Sequence, residues 1–344
     1  MTGSKAELAA MTLLSARRLR PAEALPWLAI AVMWFFFPTY LPLGTQILVM
    51  ILFALSYDIV VGYAGILILG HTAFYGAGAY TAGLLAVHGW TEPISGLIAA
   101  GIVAAATGAV AGVLILRSTG LPLLILGLAL TLLLGELANR FEWITGGHDG
   151  LQGIKSAPIL GLYTFDFAGR TAFVYSAVVL FLSWIVVRAL VNAPFGRSLV
   201  GIRQNPIRME ALGVPVWRRK LIAFTLSAGL AGVAGGLSTQ TTQFVSLNVF
   251  GLELAGAVLV VLVVGGLGRL YGAFIGAAAY MVVQDILAKD DPVYWLFWMG
   301  VILICIVLIV PGGLLGVYDI VRRRVGLLWG AALGGPRRDI GRPR

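Results

Sequence analysis

WLFWMGVILICIVLIVPGGLLGV, residues 295–317, is apolar on every face of any regular structure it could adopt. LAGAVLVVLVVGGLG, residues 254–268, has the same character. A surface helix would keep one polar side, and a transmembrane barrel strand would alternate apolar and polar residues. Neither pattern is present, so both runs read as helices whose backbone groups are satisfied internally while their side chains face lipid or other helices. The rest of the chain agrees. Of its 344 residues, 59% are hydrophobic and only 11% are charged, with a mean hydropathy of +0.95. A water-soluble fold has no place to hide that much apolar surface.

A bilayer crossing takes about 20 apolar residues. Ten candidate runs lie between polar or Gly/Pro breaks: 25–41, 44–61, 66–87, 94–116, 121–138, 171–191, 221–239, 252–267, 271–288 and 295–317. The expected fold is an all-α, multi-pass integral membrane protein of about ten transmembrane helices. An even number puts both termini on one side, and the positive charges test this. Alternating the loops between two sides places 20 of the 24 Lys and Arg on one side and leaves Arg140, Lys155, Arg170 and Lys289 on the other. The rich side is read as cytoplasmic. The expected organisation is a basic cytoplasmic segment at 1–24, a transmembrane domain at 25–318 with a large cytoplasmic loop at 192–219, and a basic cytoplasmic tail at 319–344. The first 24 residues carry no short apolar core followed by a small-residue cleavage site, so the first span is expected to remain as an anchor.

Several classes of chemistry lack their residues. Cys305 is the single cysteine, which rules out an intrachain disulfide or a thiolate metal cluster. His71, His88 and His148 have no metal-ligand spacing. No GxxxxGK[ST] phosphate loop occurs, so ATP hydrolysis by this chain is not expected. The net charge of +9 is explained by cytoplasmic loops and a tail that meet anionic lipid headgroups, and no soluble basic fold for nucleic acid is present.

Two segments depart from a plain lipid anchor. GYAGILILGHTAFYGAGAYTAG, residues 62–83, carries six glycines, Gly65 and Gly70 among them, and His71. These fit either close helix packing through small residues or an interrupted helix whose free backbone lines a pathway. GGLGRLYGAFIG, residues 265–276, spans a cytoplasmic turn around Arg269. Two related five-helix halves would have to be inverted, but the glycine clusters do not match under that scheme and no repeat is read. Ionisable residues within or near spans are Asp58, His71, Glu136, Asp285, Arg140 and Glu253. Asp58, Gly65, Gly70, His71 and Glu136 are candidates for a translocation pathway. The alternatives are solvation near an interface for Asp58 and Glu136, and a helix-packing hydrogen bond for His71. No chain of carboxylates suited to proton relay is present.

The loop 192–219 contains NPIRMEALG, a short helix signal. Asn205 can cap, Pro206 suits the first helical position, and Gly213 can close the end. Ile207, Ala211 and Leu212 form an apolar strip beside Arg203, Arg208 and Glu210. That strip suits a groove on another protein or, equally, a headgroup-level amphipathic turn. The outer loop WITGGHDGLQGI, residues 143–154, with Gly146, Gly147, Asp149 and Gly150, could shape a substrate-delivery mouth or be an ordinary flexible loop.

Four stretches together resemble the permease family of branched-chain amino-acid ABC importers, its LivM branch more than its LivH branch: 62–80, 144–154, 194–237 and 263–277. The resemblance implies a bacterial inner-membrane permease paired with a related LivH-like permease, docked on two ATP-binding subunits and supplied by a periplasmic binding protein. ATP would be bound by those partners, with no cofactor on this chain. It assigns the coupling contact with the ATPase to 205–213, where Glu210, Ala211 and Gly213 match the family pattern. Departures are Ile66 and Ile68, where similar proteins carry Gln and Ser, the stretch near Asp58, where they often carry Asn, and Leu247 in place of an outer-loop proline. Relatives could carry urea, short amides or aromatic acids. An ion-coupled secondary transporter is the alternative from another class, and an intramembrane enzyme is remote because no paired catalytic groups occur.

Overall fold

The computed structural model describes residues 21–309, except 160, 162, 165, 167 and 168, together with 313, 314 and 316. Most of the segment 1–24 and the tail 319–344 lie outside the described residues. Among the described residues the regular structure is helical, apart from isolated bridges joining Leu151 to Val245 and Ile159 to Tyr163. The helices are α1 (Leu25–Phe36), α2 (Leu41–Asp58), α3 (Thr72–Val87), α4 (Pro93–Ile115), α5 (Leu121–Arg140), α6 (Arg170–Asn192), α7 (Pro194–Gln204), α8 (Pro206–Ala211), α9 (Val216–Thr242), α10 (Leu252–Gly265), α11 (Leu270–Asp290) and α12 (Trp295–Ile309). Six of them, α1, α2, α4, α5, α7 and α8, open with proline in the first turn. Its missing N–H removes nothing there, and its fixed φ already suits a helix.

All ten expected spans have a helix at their place, with α7 and α8 lying between the sixth and seventh. Among the described residues, six helical segments are long and apolar enough to cross a membrane: Pro38–Tyr63, which contains α2, and α4, α5, α6, α9 and α11. The described parts of the remaining four are shorter. The third expected span, 66–87, differs most. α2 runs into a π turn, Ile59–Tyr63, the chain leaves helical geometry at 64–70, and α3 begins only at Thr72. Gly65 requires this break, since its φ of +70° is one that glycine adopts freely. The freed backbone is not left bare: Ile66 N–H donates to the Val60 carbonyl at 2.9 Å, and the Tyr57 hydroxyl donates to the Ile68 carbonyl.

α2 is the hub. In an 18-residue apolar window of Pro38–Tyr63, 94% is buried, against 17% in that of α5 at the periphery. α2 packs on α6, α9, α11 and α10, while α9 makes its largest interfaces with α4 and α3. Lipid supplies no hydrophobic force between helices, so this second interface depends on backbone approach through small residues. A Cβ on Gly78 would meet the Gly232 carbonyl oxygen, one on Gly235 the Tyr75 carbonyl oxygen, and one on Gly108 the Ala228 methyl. The 265–276 cluster is a tight antiparallel corner, where Gly265 of α10 lies against the Gly272 backbone of α11.

Contacts between loops sort them into two ends. At the arginine-rich end, Glu23 pairs with Arg188, Arg203 donates to the Gly62 carbonyl, and Gly313 lies against Gly266. At the opposite end, Ala157 N–H donates to the Thr91 carbonyl at 2.8 Å, Leu151 N–H donates to the Val245 carbonyl at 2.8 Å, and Lys289 stands over the Tyr40 ring at 5.4 Å.

Near that opposite end Gln240, on α9, joins two other helices. Its Nε2 donates to the Pro93 carbonyl at 2.8 Å and its Oε1 accepts from the Tyr175 hydroxyl at 2.9 Å. Gln240→Leu should lower stability by about 1–2 kcal/mol, read as a reduced Tm in detergent, because hydrogen bonds between membrane helices are each worth about 1 kcal/mol. An unchanged Tm would show that these bonds contribute little.

Candidate functional site

The loop between α6 and α9 folds into a corner. Ala193 is extended, Pro194 starts α7, and a Cβ on Gly196 would collide with the Val191 carbonyl oxygen, which lets α7 fold back closely on α6. Leu199 and Ile202 of α7 are buried, anchoring it against the bundle. Asn205 breaks the helix with extended φ/ψ, and its Oδ1 accepts from Arg208 N–H at 2.9 Å, capping α8. At the other end Gly213, at φ +79°, lets its N–H reach the Glu210 carbonyl at 2.8 Å while Val214 N–H reaches that of Met209 at 3.0 Å. Those paired bonds are a Schellman closure. α8 is therefore a short, doubly capped helix attached to α7 and α9.

On α8 and its closing turn, Met209 folds back toward Gly201, whereas Ile207 and Leu212 are 78% and 71% exposed. Arg208, Glu210 and Ala211 are exposed as well. Two large apolar groups beside opposite charges thus stand exposed on a capped projection, a knob of the kind that suits a groove on another protein. Arg203 is set apart from this knob. Its stem packs on Gly65, with Cγ 2.8 Å from where a Cβ would stand, and its guanidinium donates to the Gly62 carbonyl, so this exposed residue lies along the break after α2.

The five candidate pathway residues do not form one site. Asp58 is 1% exposed, and its Oδ1 accepts from Gly268 N–H at 2.8 Å, at the arginine-rich end. Gly65 is the hinge of the break, and Gly70 presses on the Gly127 backbone of α5. His71 is buried between α2, α3 and α9, its Nε2 3.1 Å from Ser56 Oγ and 3.3 Å from Ser227 Oγ, and its ring stacks on Tyr57 and Phe53. Glu136 is exposed on the outer face of α5, away from the others. Ile66 and Ile68 are buried inside the protein rather than lining an opening.

The opening is elsewhere. A cavity of about 370 Å³ lies between α2, α9, α10 and α11, with Tyr75 of α3 at its wall and the 243–251 turn at its rim. Val49, Met50, Phe53, Leu254, Ala257 and Met281 make its apolar side. Gln46, Ser238, Thr241, Asn248, Tyr280 and Gln284 supply hydrogen-bonding groups, and Glu253 is the one formal charge in the lining. An apolar wall facing a few polar groups and one carboxylate suits a small zwitterion with an aliphatic side chain. Sequence reasoning missed this site, although its signal was present in uncharged polar residues, Gln46, Ser238, Thr241 and Gln284, at one side of three apolar runs.

The loop 143–154 is folded rather than loose. Gly146, Gly147 and Gly150 all have positive φ, a Cβ on Gly146 would strike the Gly150 carbonyl oxygen, and Thr145 Oγ1 donates to the Ala138 carbonyl at 2.5 Å. Leu151 and Ile154 then pack with Tyr80, Val245 and Phe250 in a small core beneath the loop. Asp149 is exposed on its surface.

Residues 40–307 match the family described as branched-chain amino acid transport system / permease component. The LivM high-affinity branched-chain amino acid transport permease of Escherichia coli K12 is 32% identical over 335 residues, covering 89% of this chain and 77% of the relative. Its Salmonella typhimurium LT2 counterpart is also 32% identical, over 84% of this chain and 73% of the relative. An autoinducer 2 import permease, LsrC, of Enterobacter sp. 638 is 29% identical over 69% of this chain and 68% of its own length. No solved structure matches. With the match running from before α2 into α12 and two LivM relatives aligned along most of its length, this chain belongs to the permease-component family of branched-chain amino acid transport systems.

Proposed function

We propose that this chain is one of two permease subunits of an ATP-driven importer of leucine, isoleucine and valine in a bacterial inner membrane. The observation that carries the reading is α8, a doubly capped helix with exposed Ile207 and Leu212, within a chain matched to LivM permeases over most of its length. α8 and its closing turn, with Arg208, Glu210, Ala211 and Gly213, dock into a groove on one of two ATP-binding subunits. A LivH-like permease completes the membrane part, and a periplasmic binding protein delivers substrate. ATP binds on the partner subunits, and this chain carries out no catalysis itself.

All ten apolar helices cross the membrane in this reading, the four shorter ones included. The loop contacts support alternate crossing, since each of them joins loops that alternate crossing puts on the same side. The arginine-rich end is cytoplasmic by the positive-inside rule, and both termini, segment 1–24 and tail 319–344, lie on that side of domain 25–318. The outer loop with Gly146, Gly147, Asp149 and Gly150 faces the binding protein. The cavity between α2 and α9–α11 forms this subunit's wall of the translocation chamber, and its apolar side takes the aliphatic group.

Substrate class is tested by reconstituting the chain with its partner subunits and binding protein in liposomes and measuring leucine uptake. Isoleucine and valine should compete, while urea, short amides and aromatic acids should not. Competition by the latter group alone would transfer the chain to one of those substrates. Ser238→Trp, which fills the cavity, should reduce uptake by roughly an order of magnitude or more with assembly unchanged. Normal uptake by that variant would remove the cavity from the route.

A further inference from the structure

Asp58 is buried within the membrane domain, yet only half of its carboxylate is used. Oδ1 accepts from Gly268 N–H at 2.8 Å, while Oδ2 has no hydrogen-bond partner. A buried carboxylate oxygen without a partner is costly and marks a group kept for some purpose. Arg203 stands close enough for its charge to act on Asp58. Its guanidinium donates instead to the Gly62 carbonyl, and with five N–H donors it can serve a second acceptor.

Three segments meet at this point. A Cβ on Gly62 would collide with Asp58 Oδ1 and stand 2.5 Å from Gly268 N, and one on Gly268 would stand 3.1 Å from the Arg203 guanidinium. The π turn after α2, the α10–α11 corner and the end of α7 are thus locked in one junction. Two residues beyond Arg203 the chain reaches Asn205, the cap of α8. In the other direction α2, α10 and α11 run directly to the cavity. The junction therefore lies between the docking knob and three of the helices that wall the chamber.

We propose that Arg203 and Asp58 form a two-position latch. In the arrangement seen here the guanidinium holds the Gly62 carbonyl; in the other state of the transport cycle, displacement of α7 and α8 carries it onto Asp58 Oδ2. The latch rests on the coupling role assigned to α8. It makes Arg203 a positioning residue that passes ATPase motion to α2, α10 and α11, rather than a contact with the ATPase. Discrete alternative partners of this kind turn a small shift into a two-state change.

The test uses the assembled importer with Asp58→Asn, Arg203→Gln, Arg203→Lys and the double variant D58N/R203Q. Asp58→Asn keeps an oxygen for Gly268. Uptake per ATP hydrolysed should fall at least about tenfold, equivalent to about 1.4 kcal/mol, for Asp58→Asn and for Arg203→Gln. Arg203→Lys should recover part of the loss, and the double variant should be no worse than Arg203→Gln alone. Wild-type coupling in Asp58→Asn, or single losses that multiply in the double variant, overturns the latch. A second readout does not depend on rates. With Cys305 replaced by serine, the pair D58C/R203C should be bridged by a short bis-thiol reagent in one nucleotide state and not the other. Equal bridging in both states also overturns the latch. A wild-type importer with no uptake would remove the transport reading and the latch with it, whereas a working wild type with multiplying losses removes the latch alone.

Discussion

Gly78→Val is expected to prevent assembly of the membrane domain. A Cβ at this position would fall on the carbonyl oxygen and Cα of Gly232, and valine adds two further carbons. The neighbouring contacts leave no room for adjustment. Gly232 is itself held against the Ala104 methyl and the Ala100 carbonyl, and Gly235 against the Tyr75 carbonyl. Separating α3 from α9 would loosen α4 as well, since the three share one small-residue interface. Overpacking of backbone on backbone should cost at least about 3 kcal/mol. The measurement is the yield and Tm of monodisperse protein extracted in detergent. Gly256→Ala is the control, because a Cβ there has nothing within 4 Å and alanine favours a helix. A Gly78→Val protein with normal yield and Tm would mean that the two backbones are not in contact.

The double variant I207E/L212E should abolish ATP-driven uptake and leave the fold intact. Both side chains are largely exposed, so neither change disturbs packing within the chain. In a groove on the ATPase they would be central apolar anchors, each worth about 2 kcal/mol or more. Placing two carboxylates there should weaken docking by about a thousandfold, equivalent to about 4 kcal/mol. The ATP-binding subunits should no longer copurify, while Tm remains that of the unaltered protein. Retained copurification and uptake would refute the docking role of α8.

The sequence was most informative where one-dimensional signals suffice. Apolar length placed ten helices in order, and Asn205, Pro206 and Gly213 marked both ends of α8, each by a local rule of capping. The break at 64–70 was harder to read. Glycines in 62–83 serve two purposes that share a composition: Gly65 turns the chain at positive φ, while Gly70 and Gly78 let backbones touch. Only the fold separates them. The pathway candidates fared differently for a physical reason. Charge or imidazole inside an apolar run fits both a pathway and helix packing; in the fold His71 serves a helix junction and Asp58 a corner at the arginine-rich end, while the cavity is lined largely by uncharged polar groups. Glu136 is not among the residues lining that cavity and stands on the exposed face of α5. Position in the loop groups Arg203 with Arg208 and Glu210, whereas its bond to the Gly62 carbonyl is a contact 141 residues away in sequence.

The central claim concerns the source of energy, and leucine uptake into sealed liposomes tests it most directly. Vesicles should contain this chain, its LivH-like partner and the ATP-binding subunits, with binding protein and leucine outside and ATP inside. Uptake should require internal ATP and binding protein and should persist when proton and sodium gradients are collapsed. Uptake by this chain alone, driven by an imposed gradient without ATP, would contradict the account.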